Sequence, residues 1–304
     1  MDKIIVVAGP TASGKSDLAV KIAEKYNGEI ISADSRQIYR EMDIGTAKIT
    51  LDEMRGIPHH MIDIVDPDYD FSVAEFQDMA FDNIRSTLDK GKIPVVVGGT
   101  GLYIHSLLYE VNFTETVKNT ALRQELEALP KKDLYSMLQK KDPSSAERIN
   151  ANDKKRIIRR LEILNDGSDD GEYRFREKNK DYDYINVCLT WERSVLYDRI
   201  NVRVDNMFSK GLLDEVKYLI GKYGKDHTSM QAIGYKEVID YLETGSDDMH
   251  GLKEKVKQNT RRYAKRQLTW LRRYDDFRWY DQSEYGSTDE LYSDVAAYID
   301  GRMH

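Results

Sequence analysis

Short apolar runs alternate with longer amphipathic stretches along this chain, and their order predicts an α/β fold. Ile4, Ile5, Val6, Val7 and Ala8 form an unbroken apolar run that reads as a buried strand. Asp17 to Lys25 follows with Leu18, Ala19, Ile22 and Ala23 on one helical face. Glu29 to Ala33, Ile93 to Val97 and Tyr184 to Leu189 repeat the strand pattern, with Pro94 tolerated near the start of its strand. Between them Ser72 is predicted to cap a helix running to about Lys90. Glu75 returns the bond, Phe71 packs on Phe76 as a staple, and Gly91 ends the helix. Leu102 to Tyr109 reads as a further helix, and Ile38 to Met61 as loop.

From Phe113 to Asp183 the texture is charged and helical. Ala121 to Leu129, Lys132 to Gln139 and Ala146 to Leu164 each show i, i+3, i+4 apolar spacing, and Asp166 to Asp183 reads as a loop or hairpin. The expected organisation is a core formed by residues 1–112 and 185–304, interrupted by a helical insertion domain at 113–184. Past the insertion, helices are predicted at Val195 to Phe208, Leu212 to Tyr223, Tyr235 to Leu242 and Leu252 to Arg273.

The first strand leads into Gly9-Pro10-Thr11-Ala12-Ser13-Gly14-Lys15-Ser16, which fits the G-x-x-x-x-G-K-[ST] phosphate loop letter for letter. Backbone N–H groups turned inward by the glycines, the Lys15 ammonium and the following helix N-terminus suit a diphosphate, and the Ser16 hydroxyl suits Mg²⁺. The fold class is therefore α/β of the P-loop NTPase or kinase kind: a parallel sheet flanked by helices, with an all-helical insertion. The loop itself does not specify what carries the phosphates.

In such a sheet ligands bind at the carboxyl edge of the strands. The second strand delivers Asp34-Ser35-Arg36-Gln37 there, so Asp34 is a site carboxylate or the cap of the next turn. The third strand ends in Gly98-Gly99-Thr100-Gly101, a second glycine-rich turn expected to face the first across the cleft, with Thr100 offering a hydroxyl. His59 and His60 could pair on a metal, but adjacent side chains point apart and a structural role is favoured. Six scattered histidines and the single Cys188 give neither a zinc site nor an internal disulfide, and Cys188 reads as a small core residue.

The net charge of −7 argues against a chain that coats nucleic acid indiscriminately, yet two local patches oppose it. Lys154 to Arg160 places five cations in seven residues, with Ile157, Ile158 and Leu161 turned inward. Phosphate contact and a solvated face are balanced readings there. Lys255 to Arg273 holds eight basic residues and no acidic one, with Val256, Tyr263, Gln267, Trp270 and Leu271 as an inward stripe and Lys255, Arg262, Arg266 and Arg273 opposite. That helix is expected to meet a polyanion. No apolar run approaches the roughly 20 residues of a membrane span. The N-terminus opens on a strand where a signal peptide would carry a basic and then a longer apolar stretch. The expected location is the cytoplasm, with no membrane partner.

Taken in order, these segments resemble one family, the tRNA dimethylallyltransferases or tRNA isopentenyltransferases of the bacterial MiaA type. The resemblance rests on the phosphate loop, Ser32 to Gln37, Asp43 to Lys48, Pro58 to His60, Val97 to Tyr103, Asn152 to Arg159, Arg199 to Met207, Gln231 to Lys236 and Thr260 to Trp270. Arg160 stands where the family usually has alanine, and Asn165 to Tyr184 departs from it. The resemblance implies transfer of a dimethylallyl group from dimethylallyl diphosphate to N6 of adenosine 37, immediately 3′ of the tRNA anticodon, with Mg²⁺ and by a monomer. It implies that Lys15, Arg203 and the loop hold the diphosphate, that Asp34 is the general base and that Thr100 lies near the bridging oxygen. The implied tRNA-contacting residues are Asp34 to Gln37, Thr100, Arg123, Lys155, Arg156, Ile157, Ile158, Arg159, and Gln231, Ala232, Ile233, Gly234, Tyr235 and Lys236. Arg262 and Arg266 would hold the tRNA backbone. Two other classes share features: a small-molecule or nucleotide kinase, which would bind ATP at the same loop, and a non-catalytic RNA-binding protein with a decayed loop. Free AMP as acceptor would leave the basic surfaces without a use.

Overall fold

The computed structural model describes residues 1–111, 120–166 and 177–303, which form two compact units: Met1–Tyr109 with Lys178–His304, and Glu110–Glu177. In chain order the elements are β1 (Lys3–Ala8), α1 (Lys15–Lys25), β2 (Gly28–Ala33), α2 (Leu51–Met54), β3 (His59–His60), α3 (Val73–Asp89), β4 (Ile93–Gly98), α4 (Gly101–Leu108), α5 (Thr120–Ala128), α6 (Lys131–Lys141), α7 (Pro143–Arg148) and α8 (Lys154–Asn165). They continue with β5 (Asp183–Thr190), α9 (Arg193–Ser209), α10 (Leu212–Tyr223), α11 (Tyr235–Thr244), α12 (Met249–Leu271), β6 (Arg278–Asp281) and α13 (Thr288–Met303).

The six strands form one sheet in the order β3-β2-β4-β1-β5-β6, every neighbour pair parallel. Strands buried on both faces need apolar residues at every position, and Ile4 to Ala8, Ile30, Ile31, Val95 and Ile185 to Leu189 are buried accordingly, with Asn186 the polar exception. Because all strands run one way, their last residues come out together. Ala8 lies opposite Gly98 on one side and Cys188 on the other, and Ala33 lies opposite Gly98. The residues that follow β1, β2 and β4 therefore emerge at one edge.

Helix α1 packs with α13 on one face of the sheet, where Leu18, Ile22, Leu291, Val295 and Ile299 join the strand residues in one core. Helix α3 has the predicted capping box: Ser72 Oγ accepts from Glu75 N–H at 3.2 Å and the Glu75 carboxylate accepts from Ser72 N–H at 2.9 Å. The rings of the expected staple go to different neighbours. Phe76 stacks on Tyr103 of α4 with centroids 3.9 Å apart, while Phe71 joins the core under α9 to α12.

The second unit is helical and has its own core of Leu126, Leu134, Leu138, Ala146, Ile157, Ile158 and Leu161. The helix expected over Ala146 to Leu164 is in fact two. Asp142 caps α7 by accepting from Ser145 N–H at 3.0 Å, with Pro143 in its first turn, and Asp153 caps α8 by accepting from Arg156 N–H at 3.2 Å. Asn and Asp between residues 150 and 153 favour such caps over continued helix. Most of the loop or hairpin expected over Asp166 to Asp183 lies outside the described residues. Within the first unit Tyr109 and Lys178 form an isolated antiparallel bridge.

Candidate active site

The phosphate loop is a chain of backbone groups turned over by residues far away in sequence. Ala12 and Gly14 adopt left-handed φ of 63° and 83°, a conformation natural to Gly14 and strained for Ala12. Three side chains take carbonyls of the turn: Lys15 Nζ donates to Pro10 O at 3.2 Å, Arg199 Nε to Ala12 O at 2.9 Å, and Gln282 Nε2 to Ser13 O. Arg199 is itself steadied on the Trp191 ring, 4.7 Å from its centroid. With these carbonyls taken, the loop leaves the N-terminus of α1 as the anion-binding end.

Inside the edge is a cavity of about 500 Å³, and all its walls belong to the first unit. One wall carries Thr11, Lys15 and Ser16; the facing one carries Asp34, Ser35, Arg36 and Gln37 after β2, and Gly99, Thr100 and Leu102 after β4. Burial holds the Lys15 ammonium down to about 8, with Arg203 adding to the effect and Asp34 opposing it. Burial likewise lowers the Arg203 guanidinium against the pull of Asp34. Arg203 Nη2 donates to Thr46 O at 3.2 Å, while its Nε is buried with no hydrogen-bond partner among the described residues. A buried, under-used guanidinium beside a phosphate loop is a built place for an anion.

Asp34 caps the turn after β2, its Oδ1 accepting from Arg36 N–H at 2.8 Å, and also lines the cavity. Thr100 Oγ1 accepts from Ser35 N–H at 3.1 Å and lies 3.4 Å from Ser35 Oγ, and Tyr263 lines the same cavity. Burial and the charge of Asp34 push that phenol up to about 12, so it stays neutral.

A third wall is the loop of residues 43–48. The Glu215 carboxylate accepts from the N–H groups of Asp43, Ile44 and Gly45 at 3.0, 2.7 and 3.0 Å, and from Tyr235 Oη at 2.6 Å. That anchor presents Gly45, Thr46 and Ala47 to the cavity and the Thr46 carbonyl to Arg203. Tyr235 is thereby buried in the core and Ala232 nearly so, leaving Gln231, Ile233 and Arg266 from the expected tRNA contacts on the cavity wall beside Ala232. Tyr235 is correspondingly corrected from a nucleic-acid contact to a support. Gly234 is buried too, and Lys236 and Arg262 are exposed away from the cavity.

The stripe of α12 expected to face inward does so, with Val256, Gln267 and Leu271 buried. Val256, Thr260, Tyr263, Gln267 and Trp270 line the cavity, and Arg266, expected on the opposite face, stands with them, 5.7 Å from the Tyr263 ring. Several cations of this helix are already matched: Lys255 to Asp240 at 3.2 Å, Lys257 to Asp205 at 3.0 Å, and Arg261 to Asn201. The sequence reading missed Gln267 and Gln282 as loop supports, because nothing local marks a partner more than 250 positions away.

In the second unit Ile157 and Ile158 are 0% and 2% exposed, so their side chains serve that unit's core and not a tRNA. Lys154 caps α5 through the Glu127 and Leu129 carbonyls, and Arg160 pairs with Asp142 at 2.6 Å. Arg123 pairs with Glu127 and Glu162, and Arg156 with Asp153. Of the basic run, Lys155, Arg156 and Arg159 remain exposed. At the far edge of the sheet His60 Nε2 lies 2.8 Å from the buried Glu29. Although burial works the other way, bonds from Lys92, His60 and Lys90 hold the Glu29 carboxyl down to about 2. His59 Nδ1 lies 2.8 Å from Ile57 O, and no group of three His, Cys, Asp or Glu suited to a metal occurs among the described residues.

A phosphate loop, three further cations and a carboxylate lining one cleft of a parallel sheet define an enzyme of the phosphate-loop class. The chain belongs to the IPP transferase family, whose model matches residues 37–274. It is 47% identical over 308 residues to the tRNA dimethylallyltransferase of Bacillus cytotoxicus, covering 99% of this chain and 96% of that one. It is 47% identical over 296 residues to that of Alkaliphilus oremlandii, covering 95% and 94%. Among solved structures it resembles the tRNA isopentenylpyrophosphate transferase of Bacillus halodurans, with TM-score 0.76, 42% identity and coverage of 99% and 96%. It also resembles a eukaryotic dimethylallyltransferase acting on tRNA, with TM-score 0.86, 31% identity and coverage of 100% and 79%.

Proposed function

We propose that this protein transfers the dimethylallyl group of dimethylallyl diphosphate to N6 of the adenosine 3′ of the anticodon in tRNA. The observation that carries the reading is the cavity itself, with Lys15 and Arg203 at an anion-binding loop and Asp34 and Thr100 across from them. The donor's diphosphate sits on the N-terminus of α1, against Lys15 and the unpartnered Nε of Arg203. Val204, Met207, Ala232, Ile233 and Val256 line the same cavity as part of one apolar cluster, a wall suited to a five-carbon chain.

As the C1–O bond breaks, its electron pair leaves with diphosphate and positive charge spreads over the allyl carbons. Preorganised N–H groups and cations stabilise the leaving charge. The N6 lone pair then forms the new C–N bond. Because that pair is shared with the adenine ring, the amine becomes acidic only as the bond forms, and Asp34 takes the proton. Thr100 Oγ, steadied by Ser35, stands at the donor–acceptor junction. The target base must leave its stack to enter the cavity, held by the residues at 35–37, 231–233 and Arg266 at its mouth.

Mg²⁺ fits this site: the Ser16 hydroxyl and the diphosphate oxygens are hard donors, and Mg²⁺ commonly keeps waters for its other positions. Ser16 would hold it, and bound there it neutralises charge on the leaving diphosphate. The exposed cations Arg123, Lys155, Arg156, Arg159, Lys236 and Arg262 are assigned to the tRNA backbone. A single chain, working in the cytoplasm where tRNA is found, completes the reading. Among the described residues no helix is long and apolar enough to cross a membrane. The kinase reading of the loop gives way to the family assignment.

The test is to incubate the protein with Mg²⁺, labelled dimethylallyl diphosphate and unmodified tRNA, then digest the RNA. Label in N6-dimethylallyladenosine is expected. Label absent from RNA, with phosphate transfer from ATP to a small acceptor, would overturn the reading.

A further inference from the structure

The cavity face of α12 is in register with the second glycine-rich turn. Gln267 Nε2 donates to Gly99 O at 2.9 Å, and a Cβ at Gly101 would lie 2.3 Å from Trp270. Two side chains about one helical turn apart thus seat on the residues on either side of Thr100. Gln267 also reaches the first turn: its Oε1 accepts from Thr11 N–H at 2.9 Å. The side chain is buried, and a Cβ on Gly99 would stand 2.4 Å from its Nε2 and 2.9 Å from Gly9 O. The two turns meet backbone to backbone with one carboxamide between them.

We infer that Gln267 is a positioning residue for transfer, its carboxamide fixing the separation between the phosphate loop and the turn that bears Thr100. The inference rests on the proposed reaction and assigns Gln267 a role exerted through the two turns that its carboxamide bonds. The loop holds the carbon that is attacked, and the Thr100 turn stands where the amine enters; their spacing sets the approach. Misplacement by about 1 Å can cost 10²-fold in rate. One rigid planar group must accept on one side and donate on the other. Glutamine does both, ionised glutamate only accepts, and methionine of similar length does neither.

The experiment compares wild type with Gln267→Met and Gln267→Glu, measuring kcat and both KM values from about pH 8.5 to about pH 6, with melting temperature and tRNA affinity alongside. Gln267→Met should lower kcat about 100-fold at every pH, with tRNA affinity unchanged. For Gln267→Glu, kcat relative to wild type at the same pH should rise at least about fivefold as pH falls. Burial raises the variant's carboxyl pKa, and the protonated carboxyl both accepts from Thr11 and donates to Gly99. A merely structural role would give losses that follow the folded fraction and a pH-independent ratio. That pattern, or full kcat in folded Gln267→Met, overturns the inference. If Gln267→Met does not fold, the pH ratio of Gln267→Glu decides alone. Failure of wild type to label tRNA would instead overturn the transfer reading and this inference with it.

Discussion

Arg203→Met should leave the free protein at least as stable while removing most of its use of the donor. The guanidinium is held in low-polarity surroundings with one bond, to Thr46 O, an idle Nε and the partial compensation of Asp34. Moving a charge out of water costs several kcal/mol even after relaxation, and apolar replacements at such sites are often neutral or stabilising. A methionine of similar reach should therefore raise stability by about 1–2 kcal/mol, or roughly 2–4 °C in melting temperature for a chain of this size. Charge-assisted bonds contribute about 1.5–3 kcal/mol each. Losing them to the diphosphate should lower kcat/KM for the donor about 10- to 100-fold. Thermal melts with and without inorganic diphosphate and Mg²⁺, beside steady-state kinetics, read both effects. Wild type should be stabilised by diphosphate and the variant hardly at all. A variant that melts lower and keeps its diphosphate shift would refute the reasoning, making Arg203 a strut for the 43–48 loop.

Asp34→Asn keeps an oxygen for the Arg36 N–H but cannot take a proton, so transfer should fall about 10²- to 10⁴-fold with tRNA affinity intact; lost affinity would make Asp34 a docking residue. Since the Lys15 ammonium titrates near 8, below its ordinary value, kcat/KM for the donor should decline as pH rises through that region. The bound diphosphate favours the charged form, so kcat should hold to higher pH, and Lys15→Arg should lose the break; a break unchanged in that variant assigns it elsewhere. Arg262→Ala with Arg266→Ala should weaken tRNA binding and shallow its salt dependence, and an unaltered slope would mark these arginines as simply solvated.

What the sequence made legible was set by local signals. The run Ile4 to Ala8 with its glycine-lysine turn, the Ser72–Glu75 box and the helix Leu212–Tyr223 all stand in the structure where pattern and capping put them. The edge strand His59–His60 escaped because two residues carry no period. The strand Arg278–Asp281 and helix Thr288–Met303 lay beyond the last motif and were not predicted. On α12 the periodicity gave the inward face but not what that face meets, because a stripe facing a cavity and a stripe facing a core have the same spacing. Tyr263, Gln267 and Trp270, polar or mixed in character, differ from the Val256 and Leu271 of an ordinary core stripe, which was the available clue.

The clamps on the phosphate loop also set a timetable. Residues 9–16 are synthesised well before positions 199, 267 and 282, whose side chains hold the loop, and β1 is flanked by β4 and β5. At roughly 5–20 residues per second of translation, about 13–53 seconds separate the loop from Gln282. Throughout that interval the nascent chain has the phosphate-loop motif without its grip. The anion-binding form of the loop is thus expected only after Gln282 has been made.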